Sequence, residues 1–520
     1  MADYGYGGGS GAYEPTRDDK PIDFDVVAAV KDFVFDLHDS MRRSHIMEEL
    51  QVHYAITFPK LSEEYYKTEP WPAAEVISNQ CGDDELFLLF YKEMRLRHIC
   101  TNLNPSIQDR FEAWANYCCL FDMMLDCHDT DFLITSSWAF DIMHEFLYQF
   151  QSFCQFRTSL DMLNETERSM LMANQDVWAV QNVMSYLHGL TRVSNIVPIL
   201  AAKRNPSSAA PSPVAPSQMH ELCGYFAIVS MSRLQCLLGD YYECLNVLKP
   251  LDVTDKNELF ASILGSYMSL YLHMSLSFLM LRRYRDASRT LNEVLVHTSR
   301  AMKAGQAQRA GTADMVSKQF DKMLGLLAIS QTLAPGLKID ESISQLMKEK
   351  HKDKLAKMEQ GSEAAFRELF QWVAPKFIVP GVPDYSSKAS VANSAIQQQL
   401  KVFCEDVRLQ LLFPQVRSYL QLYTTISMEK MSRFNNMSEE QFGACLTSMK
   451  HILTQPEWKM SGERGPLDGK PALGLDFNYY VEEETLVIDE QERVQQHEGF
   501  FMSQIDKCES FLDHLEKVKI

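Results

Sequence analysis

The stretch that decides the fold of the C-terminal part begins with VRSYLQLYT, residues 416–424. Its apolar residues have the i, i+3, i+4, i+7 spacing of one helix face, which predicts a helix that runs up to Thr424. These residues are Val416, Tyr419, Leu420 and Tyr423. A shorter helix is predicted to follow, capped by Ser427 and ended by Asn435 and Asn436.

The third predicted helix has the clearest sequence pattern of this region. Ser438 and Gln441 have the spacing of a capping box, and two glutamates follow the cap, where the helix dipole favours negative charge. Its predicted buried face consists of Phe442, Cys445, Leu446, Met449, Ile452 and Leu453. The sequence therefore predicts a helix over 438–453.

A β-hairpin is predicted after this helix and a Gly/Pro-rich gap. Apolar and polar residues alternate from Leu475 to Tyr479, which is the period of a half-exposed strand. The return strand across the acidic turn 482–484 contains Leu486, Val487 and Ile488. We expect this return strand at the edge of the sheet, where its backbone groups can pair with a neighbouring protein. Three helices and a hairpin indicate a winged helix.

The third helix lacks the basic surface with which many winged helices read DNA. Positions 438–453 hold two glutamates against Lys450 and His451, so phosphate groups would be repelled at the start of the helix. This charge pattern favours a structural or docking role over a DNA-reading role.

The composition describes a large acidic chain. Its 520 residues are enough for several domains or one long repeat array, and its net charge is -19. The negative charge argues against general affinity for nucleic acid or anionic membranes, so we expect protein partners. We find no signal peptide and no apolar run of about 18 residues, which predicts a soluble intracellular protein. The twelve cysteines include no C-x-x-C pair and are expected to be reduced, buried thiols.

A weak internal repeat follows a segment that is rich in proline and serine. Residues 205–217 hold four prolines and are predicted to be a linker. Beyond them Leu238, Tyr241, Cys244 and Leu248 correspond to Leu281, Tyr284, Ala287 and Leu291, forty-three residues later. Together with a further helical run over 323–333, this period predicts stacked helical hairpins that form an extended protein-binding surface.

A run of five lysines is a candidate RNA contact. These are Lys348, Lys350, Lys352, Lys354 and Lys357. The alternative is a solvated helix, because Glu349, Asp353 and Glu359 offer partial neutralisation.

The motifs of common enzyme and metal sites are missing from the sequence. His144 and Glu145 begin like a zinc-protease helix, but position 148 is Tyr instead of the second His ligand. Neither a phosphate-binding loop nor a G-x-S-x-G motif occurs. The sequence predicts no catalytic, cofactor-binding or metal-binding residues and hence a protein that is not an enzyme.

Apolar residues near the C-terminus repeat at spacings of four, three, four and three. They are Phe501, Ile505, Cys508, Leu512 and Leu515, and we refer to them as the terminal seam. This heptad pattern predicts a bundle helix that packs against a helix of a partner. The alternative is that the helix folds back on its own winged helix.

A helical-repeat array that runs into a winged helix resembles the PCI domain, which is shared by the proteasome lid, the signalosome and translation initiation factor 3. Several strings are similar to the family of eukaryotic translation initiation factor 3 subunit L. They are EPWPAAE at 69–75, YQFQSF at 148–153, LLGDYY at 237–242, MLRRY at 280–284, IDESI at 339–343 and RSYLQLYTT at 417–425.

The resemblance implies an all-α, TPR-like helical repeat array that ends in a winged helix with a small β hairpin, followed by a C-terminal helix. The expected layout is a tail at 1–21, an N-terminal helical domain at 22–204, the linker at 205–217, repeats at 218–305, a PCI domain at 306–514 with its winged helix at about 416–490, and the bundle helix at 491–520.

The function implied is that of a cytoplasmic, non-enzymatic scaffold subunit of translation initiation factor 3. Such a subunit binds the small ribosomal subunit and supports preinitiation complex assembly and mRNA recruitment. Its expected partners are other subunits of the factor that contain PCI domains, including subunit K, which join through winged-helix sheets and C-terminal helices. The alternatives are a scaffold subunit of the proteasome lid or signalosome, and a direct RNA-binding protein.

Overall fold

The structure is a computed structural model that describes residues 26–43, 47–126, 132–204, 217–305, 312–334, 337–386, 390–458, 465–475 and 477–490, with positions 501, 504, 505, 508 and 512. The predicted tail and all of the predicted linker except Ser217 lie outside these residues. Within the described ranges, no helix combines the length and the hydropathy needed to cross a membrane. The predicted domain boundaries stay predictions.

The contacts divide the chain into two compact units, of which the first comprises Met1–Leu120 with Asp131–Thr135. Its elements are α1 (Ala28–Arg43), α2 (Met47–Val52), a π-helical turn (His53–Thr57), α3 (Phe58–Tyr65), α4 (Ala74–Ile77), a 3-10 turn (Ser78–Gln80), α5 (Glu85–Asn102) and most of α6 (Ile107–Asp126). Trp71, from the string EPWPAAE, is buried in this core, where its ring packs on Phe58 with centroids 4.8 Å apart.

The second unit comprises Phe121–Thr130 with Ser136–Ile520. After the end of α6 its helices are α7 (Ser136–Thr158), α8 (Glu165–Ala173), α9 (Val180–Val193), α10 (Ile196–Arg204), α11 (Gln218–Leu238), α12 (Tyr241–Asn246), α13 (Leu259–Ser262), α14 (Leu264–Met280), α15 (Tyr284–Lys303), α16 (Thr312–Leu333), α17 (Glu341–Glu359), α18 (Glu363–Val373), α19 (Ser394–Gln410), α20 (Phe413–Leu420), α21 (Met428–Phe434) and α22 (Glu439–Leu453). Helix α11 is buried on nearly all sides because it packs against α7, α9, α12 and α14.

The repeat predicted from the sequence is confirmed by two equivalent turns. Gly239 has φ 89° between α11 and α12, and Arg282, forty-three residues later, has φ 64° between α14 and α15. In each turn the next backbone N–H donates to a carbonyl five residues back, that of Gln235 at 2.9 Å or Phe278 at 2.8 Å. The same left-handed turn therefore closes both helical hairpins.

Helix α19 runs past both turns and fixes them through the tyrosines of the repeat. The hydroxyl of Tyr241 donates to Gln399 Oε1 at 2.7 Å, and Gln410 Nε2 donates to the hydroxyl of Tyr284 at 2.8 Å. Arg282 adds an ion pair to a carboxylate of α19 at 2.6 Å. Since α20 follows α19 directly, the repeats are connected to the winged helix without a separate linker.

The winged-helix region contains the predicted helices and hairpin, together with three strands that were not predicted, β1 to β3. The strands of this region are β1 (Thr425–Ser427), β2 (Thr454–Glu457), β3 (Lys470–Leu473), β4 (Phe477–Glu482) and β5 (Thr485–Glu490). Helix α20 ends at Leu420 instead of Thr424, because the chain turns into β1. The capping box of α22 is confirmed, with the Gln441 N–H donating to Ser438 Oγ at 3.3 Å.

The prediction that Leu486, Val487 and Ile488 form an edge strand is wrong. Their strand β5 lies in the middle of an antiparallel sheet of order β1-β5-β4. Val487 pairs with Thr425 of β1 on one side and with a residue of β4 on the other. The physical reason is Ile426, which is 8% exposed and brings β1 into the winged-helix core opposite Leu486.

We expect Leu446→Ala to lower the free energy of unfolding by about 2 to 5 kcal/mol. Leu446 is 2% exposed on the core face of α22, so truncation leaves a cavity. Thermal and urea denaturation of the full chain would measure the loss. Leu422→Ala is the matched control, since Leu422 is 72% exposed and its removal should change stability by less than about 0.5 kcal/mol. An equal effect of both substitutions would contradict the assigned face of α22.

Candidate protein-interaction site

The described residues of the terminal seam are helical and exposed. Phe501 is 61% exposed, Ile505 49% and Leu512 58%, and Cys508 is also exposed. Leu515 lies outside the described residues. An apolar helix face of this kind gains stability when a second apolar surface covers it. The contact with a partner and the alternative of folding back on the winged helix both stay predictions.

Strand β4 is an outer strand of the three-stranded sheet in the described part of the chain. The Tyr479 N–H donates to its neighbour Asn478 Oδ1 at 3.0 Å, and the Tyr479 carbonyl accepts from Lys450 Nζ at 2.8 Å. These backbone groups therefore point away from β5. The backbone N–H and carbonyl groups of successive residues in a strand point to opposite sides, so the groups of Val481, two residues later, also point away from β5. Val481 is 50% exposed and Tyr480 is 45% exposed, so this end of β4 is accessible.

The five predicted lysines lie on α17, but two of them are engaged within the chain. Lys350 forms an ion pair with Asp321 of α16, and Lys354 Nζ lies 3.1 Å from Glu368 Oε1 of α18. Lys348, Lys352 and Lys357 are exposed. Neutralisation of two charges weakens the basic surface, and the RNA contact stays a prediction.

The segment 454–474 between α22 and β4 contains two strands that were not predicted, and we refer to its described residues, 454–458 and 465–474, as the insertion. Strands β2 and β3 pair in it as an antiparallel ladder, from Thr454 opposite Leu473 to Glu457 opposite Lys470. Trp458 follows β2, is 1% exposed and lies against Phe278 of α14 with ring centroids 6.2 Å apart. This insertion therefore packs against the second helical hairpin.

A buried charge network joins the insertion to the start of α15. The Arg283 side chain is 5% exposed and that of Asp286 is 1% exposed, and Arg283 Nε donates to Asp286 Oδ2 at 2.8 Å. Arg283 also donates to the carbonyl oxygen of Pro466 at 2.9 Å, and the Trp458 N–H donates to Asp286 Oδ1 at 3.0 Å. An ion pair between Arg289 and a carboxylate of the insertion completes the network.

Burial raises the pKa of Asp286 to about 6, and the positive charge of Arg283 acts in the opposite direction. A sequence signal for this network exists in hindsight. Arg282, Arg283, Arg285 and Arg289 crowd the start of α15, where the helix dipole disfavours positive charge and Asp286 is the one acidic residue of the first turn. This crowding indicates that further hydrogen-bond acceptors come from elsewhere in the fold.

Across the described ranges, no group of three or more His, Cys, Asp or Glu side chains is arranged to hold a metal ion. The candidate interaction elements of the described surface are the terminal seam and the outer edge of β4.

Comparison with known proteins gives one consistent result. The family model described as "RNA polymerase I-associated factor PAF67" matches residues 109–508. The chain is 34% identical to a Danio rerio protein, covering 90% of this chain and 81% of that protein, and 33% identical to a Homo sapiens protein, covering 89% and 83%. It is 31% identical to a Nematostella vectensis protein, covering 99% and 98%. Each of these relatives is named "Eukaryotic translation initiation factor 3 subunit L".

Proposed function

Because the chain belongs to the eukaryotic translation initiation factor 3 subunit L family, we propose that it is a non-enzymatic scaffold subunit of the multi-subunit initiation factor. It holds other PCI-containing subunits together, subunit K among them, and works in the cytoplasm. Through this assembly it binds the small ribosomal subunit and supports preinitiation complex assembly and mRNA recruitment.

The exposure of the terminal seam is the observation that carries this proposal. Burial of a large apolar side chain is worth about 1.5 to 3 kcal/mol before entropy costs. An isolated helix of this length is marginal in water, so packing against partner helices supplies the stability that the helix lacks. The outer edge of β4 offers a second contact, because a partner strand can extend the sheet there.

The test of the proposal is identification of the proteins that co-purify with the tagged full chain. Initiation factor 3 subunits and ribosomal proteins, quantified by mass spectrometry, are the expected result. Enrichment of proteasome-lid or signalosome subunits in their place would contradict it and favour a scaffold in protein degradation.

We expect Val481→Pro to weaken partner binding by about tenfold while changing the melting temperature little. Proline at position 481 removes an N–H that points away from β5, so every hydrogen bond between β4 and β5 is kept. Proline is tolerated at such positions of an edge strand. Val487→Pro is the contrasting variant, because Val487 is paired on both sides and its substitution should unfold the winged helix. Co-purification and thermal melting of both variants would measure the difference. Unchanged partner binding by the Val481 variant would exclude the β4 edge as a contact.

A further inference from the structure

The outer edge of β4 is occupied at one residue and open two residues later. Both outward backbone groups of Tyr479 have partners within the chain, since its carbonyl accepts from Lys450 Nζ at 2.8 Å and its N–H donates to Asn478 Oδ1 at 3.0 Å. In the described part of the chain, no side chain forms a hydrogen bond with the backbone of Val481. A strand that approaches β4 therefore meets free backbone groups at Val481 and occupied ones at Tyr479.

The packing of Tyr479 on α22 holds the Lys450 side chain over this edge. The Tyr479 hydroxyl donates to the carbonyl of Leu446 at 2.7 Å, and Leu446 lies one helical turn before Lys450 on α22. Tyr479 is 3% exposed, and the Lys450 ammonium is 5.4 Å from the centroid of its ring. Lys450 therefore reaches from the last turn of α22 to the strand edge along a buried ring.

A strand that extends the sheet beyond Val481 has to form hydrogen bonds with the backbone of Tyr479. To do so it must displace the Lys450 ammonium from the Tyr479 carbonyl, and loss of a charged hydrogen bond without a replacement is unfavourable. Native sheets use lysines at their edges in this way to prevent edge-to-edge pairing. Lys450 consequently opposes every strand that offers its ammonium no new acceptor.

The residue opposite Tyr479 decides whether an incoming strand offers such an acceptor. Residues directly opposite each other in an antiparallel pair have their side chains on the same face, with Cβ atoms about 4.5 to 5.5 Å apart. The Tyr479 side chain lies on the α22 face, where Lys450 also lies. An aspartate or glutamate opposite Tyr479 would thus bring a carboxylate to Lys450, and a carboxylate is a stronger acceptor for an ammonium than a neutral carbonyl.

We propose that Lys450 selects the strand that adds to the β4 edge: it admits a partner strand with an aspartate or glutamate opposite Tyr479 and excludes a second copy of this chain. The residues of β4 with outward backbone groups are Phe477, Tyr479 and Val481, and none of them has a carboxylate. Two β4 strands paired about a two-fold axis would place one of these three opposite Tyr479. The inference rests on the proposed contact at the β4 edge and adds the chemistry of the partner strand.

Sedimentation velocity of the isolated full chain tests the exclusion of a second copy. We expect Lys450→Met to self-associate at a concentration about tenfold lower than the unmodified chain does. Lys430→Met, which removes an exposed lysine of α21, is the matched control and should sediment like the unmodified chain. Addition of Val481→Pro to Lys450→Met should reverse the self-association, because proline removes the open N–H of the edge. Equal sedimentation of Lys450→Met and the unmodified chain would overturn the proposal.

An extended peptide with one central glutamate, acetyl-Thr-Val-Glu-Val-Thr-amide, tests the admission of an acidic strand, and its glutamine counterpart is the control. Fluorescence anisotropy of the labelled peptides should show about tenfold tighter binding of the glutamate peptide to the unmodified chain. This preference should disappear in Lys450→Met and persist in Lys450→Arg, because a guanidinium also pairs with a carboxylate. Equal affinities of the two peptides for the unmodified chain would overturn the proposal.

Both assays use the isolated chain, so their failure is distinguishable from failure of the proposed function. Co-purification of initiation factor 3 subunits decides the proposed function, whatever the selectivity of the β4 edge. Thermal melting of Lys450→Met and Lys450→Arg should differ little from that of the unmodified chain, which separates strand selection from folding.

Discussion

Truncation of the chain after Asp489 is expected to leave a protein that melts cooperatively but no longer co-purifies with its PCI-containing partners. The core of the winged helix consists of residues from 413 to 488, so the truncated chain keeps all of its described core. The terminal seam is lost, and with it several large side chains whose burial against a partner is worth about 1.5 to 3 kcal/mol each. Because affinity changes tenfold for each 1.4 kcal/mol, this loss would abolish recovery of the complex.

Co-purification of the truncated and full-length chains, compared by quantitative mass spectrometry, measures this effect. A finer variant replaces Phe501, Ile505 and Leu512 by serine in the full chain, and Gln504→Ser is its matched control on the same helix. We expect the triple variant to behave like the truncation and the control to keep its partners. Full retention of partners by the truncated chain would place the helix outside the interface.

Substitution of Asp286 by alanine is expected to lower the free energy of unfolding by about 3 to 5 kcal/mol. Asp286 accepts from Arg283 and from the Trp458 N–H, so its removal leaves the buried guanidinium without its counter-ion and the buried N–H without its acceptor. The insertion should then separate from α15 before the rest of the chain unfolds. Thermal denaturation and fluorescence of Trp458, which is 1% exposed in the intact protein, would report the two events.

Two further variants test whether the buried charges cause the loss. Asp353→Ala removes an exposed carboxylate of α17 and should change stability by less than about 0.5 kcal/mol. The double variant Arg283→Met, Asp286→Leu removes both charges, so it should lose less stability than Asp286→Ala alone. A double variant that is less stable than the single one would show that packing, and not the uncompensated charge, dominates.

The sequence by itself determined the helices of the winged helix and the hairpin β4–β5. Residues of one helix face lie three to four positions apart in the sequence, and residues of one strand face lie two apart. The capping box and apolar face of α22, and the alternation around Tyr479 in β4, could therefore be recognised from neighbouring residues. The repeat was recognisable for a similar reason, since the turns at Gly239 and Arg282 follow matching patterns.

Only the tertiary structure decided which strand lies in the middle of the sheet, where the insertion packs and how the charges are paired. Strand β1 has three residues, Thr425–Ser427, too few to show a period, yet it moves β5 from the edge to the centre. Asp286 and Trp458 meet across 172 residues of chain, and Lys350 meets Asp321 of another helix. Such contacts depend on which elements fold against each other. The spacing of neighbouring residues does not indicate which distant residue each side chain will contact.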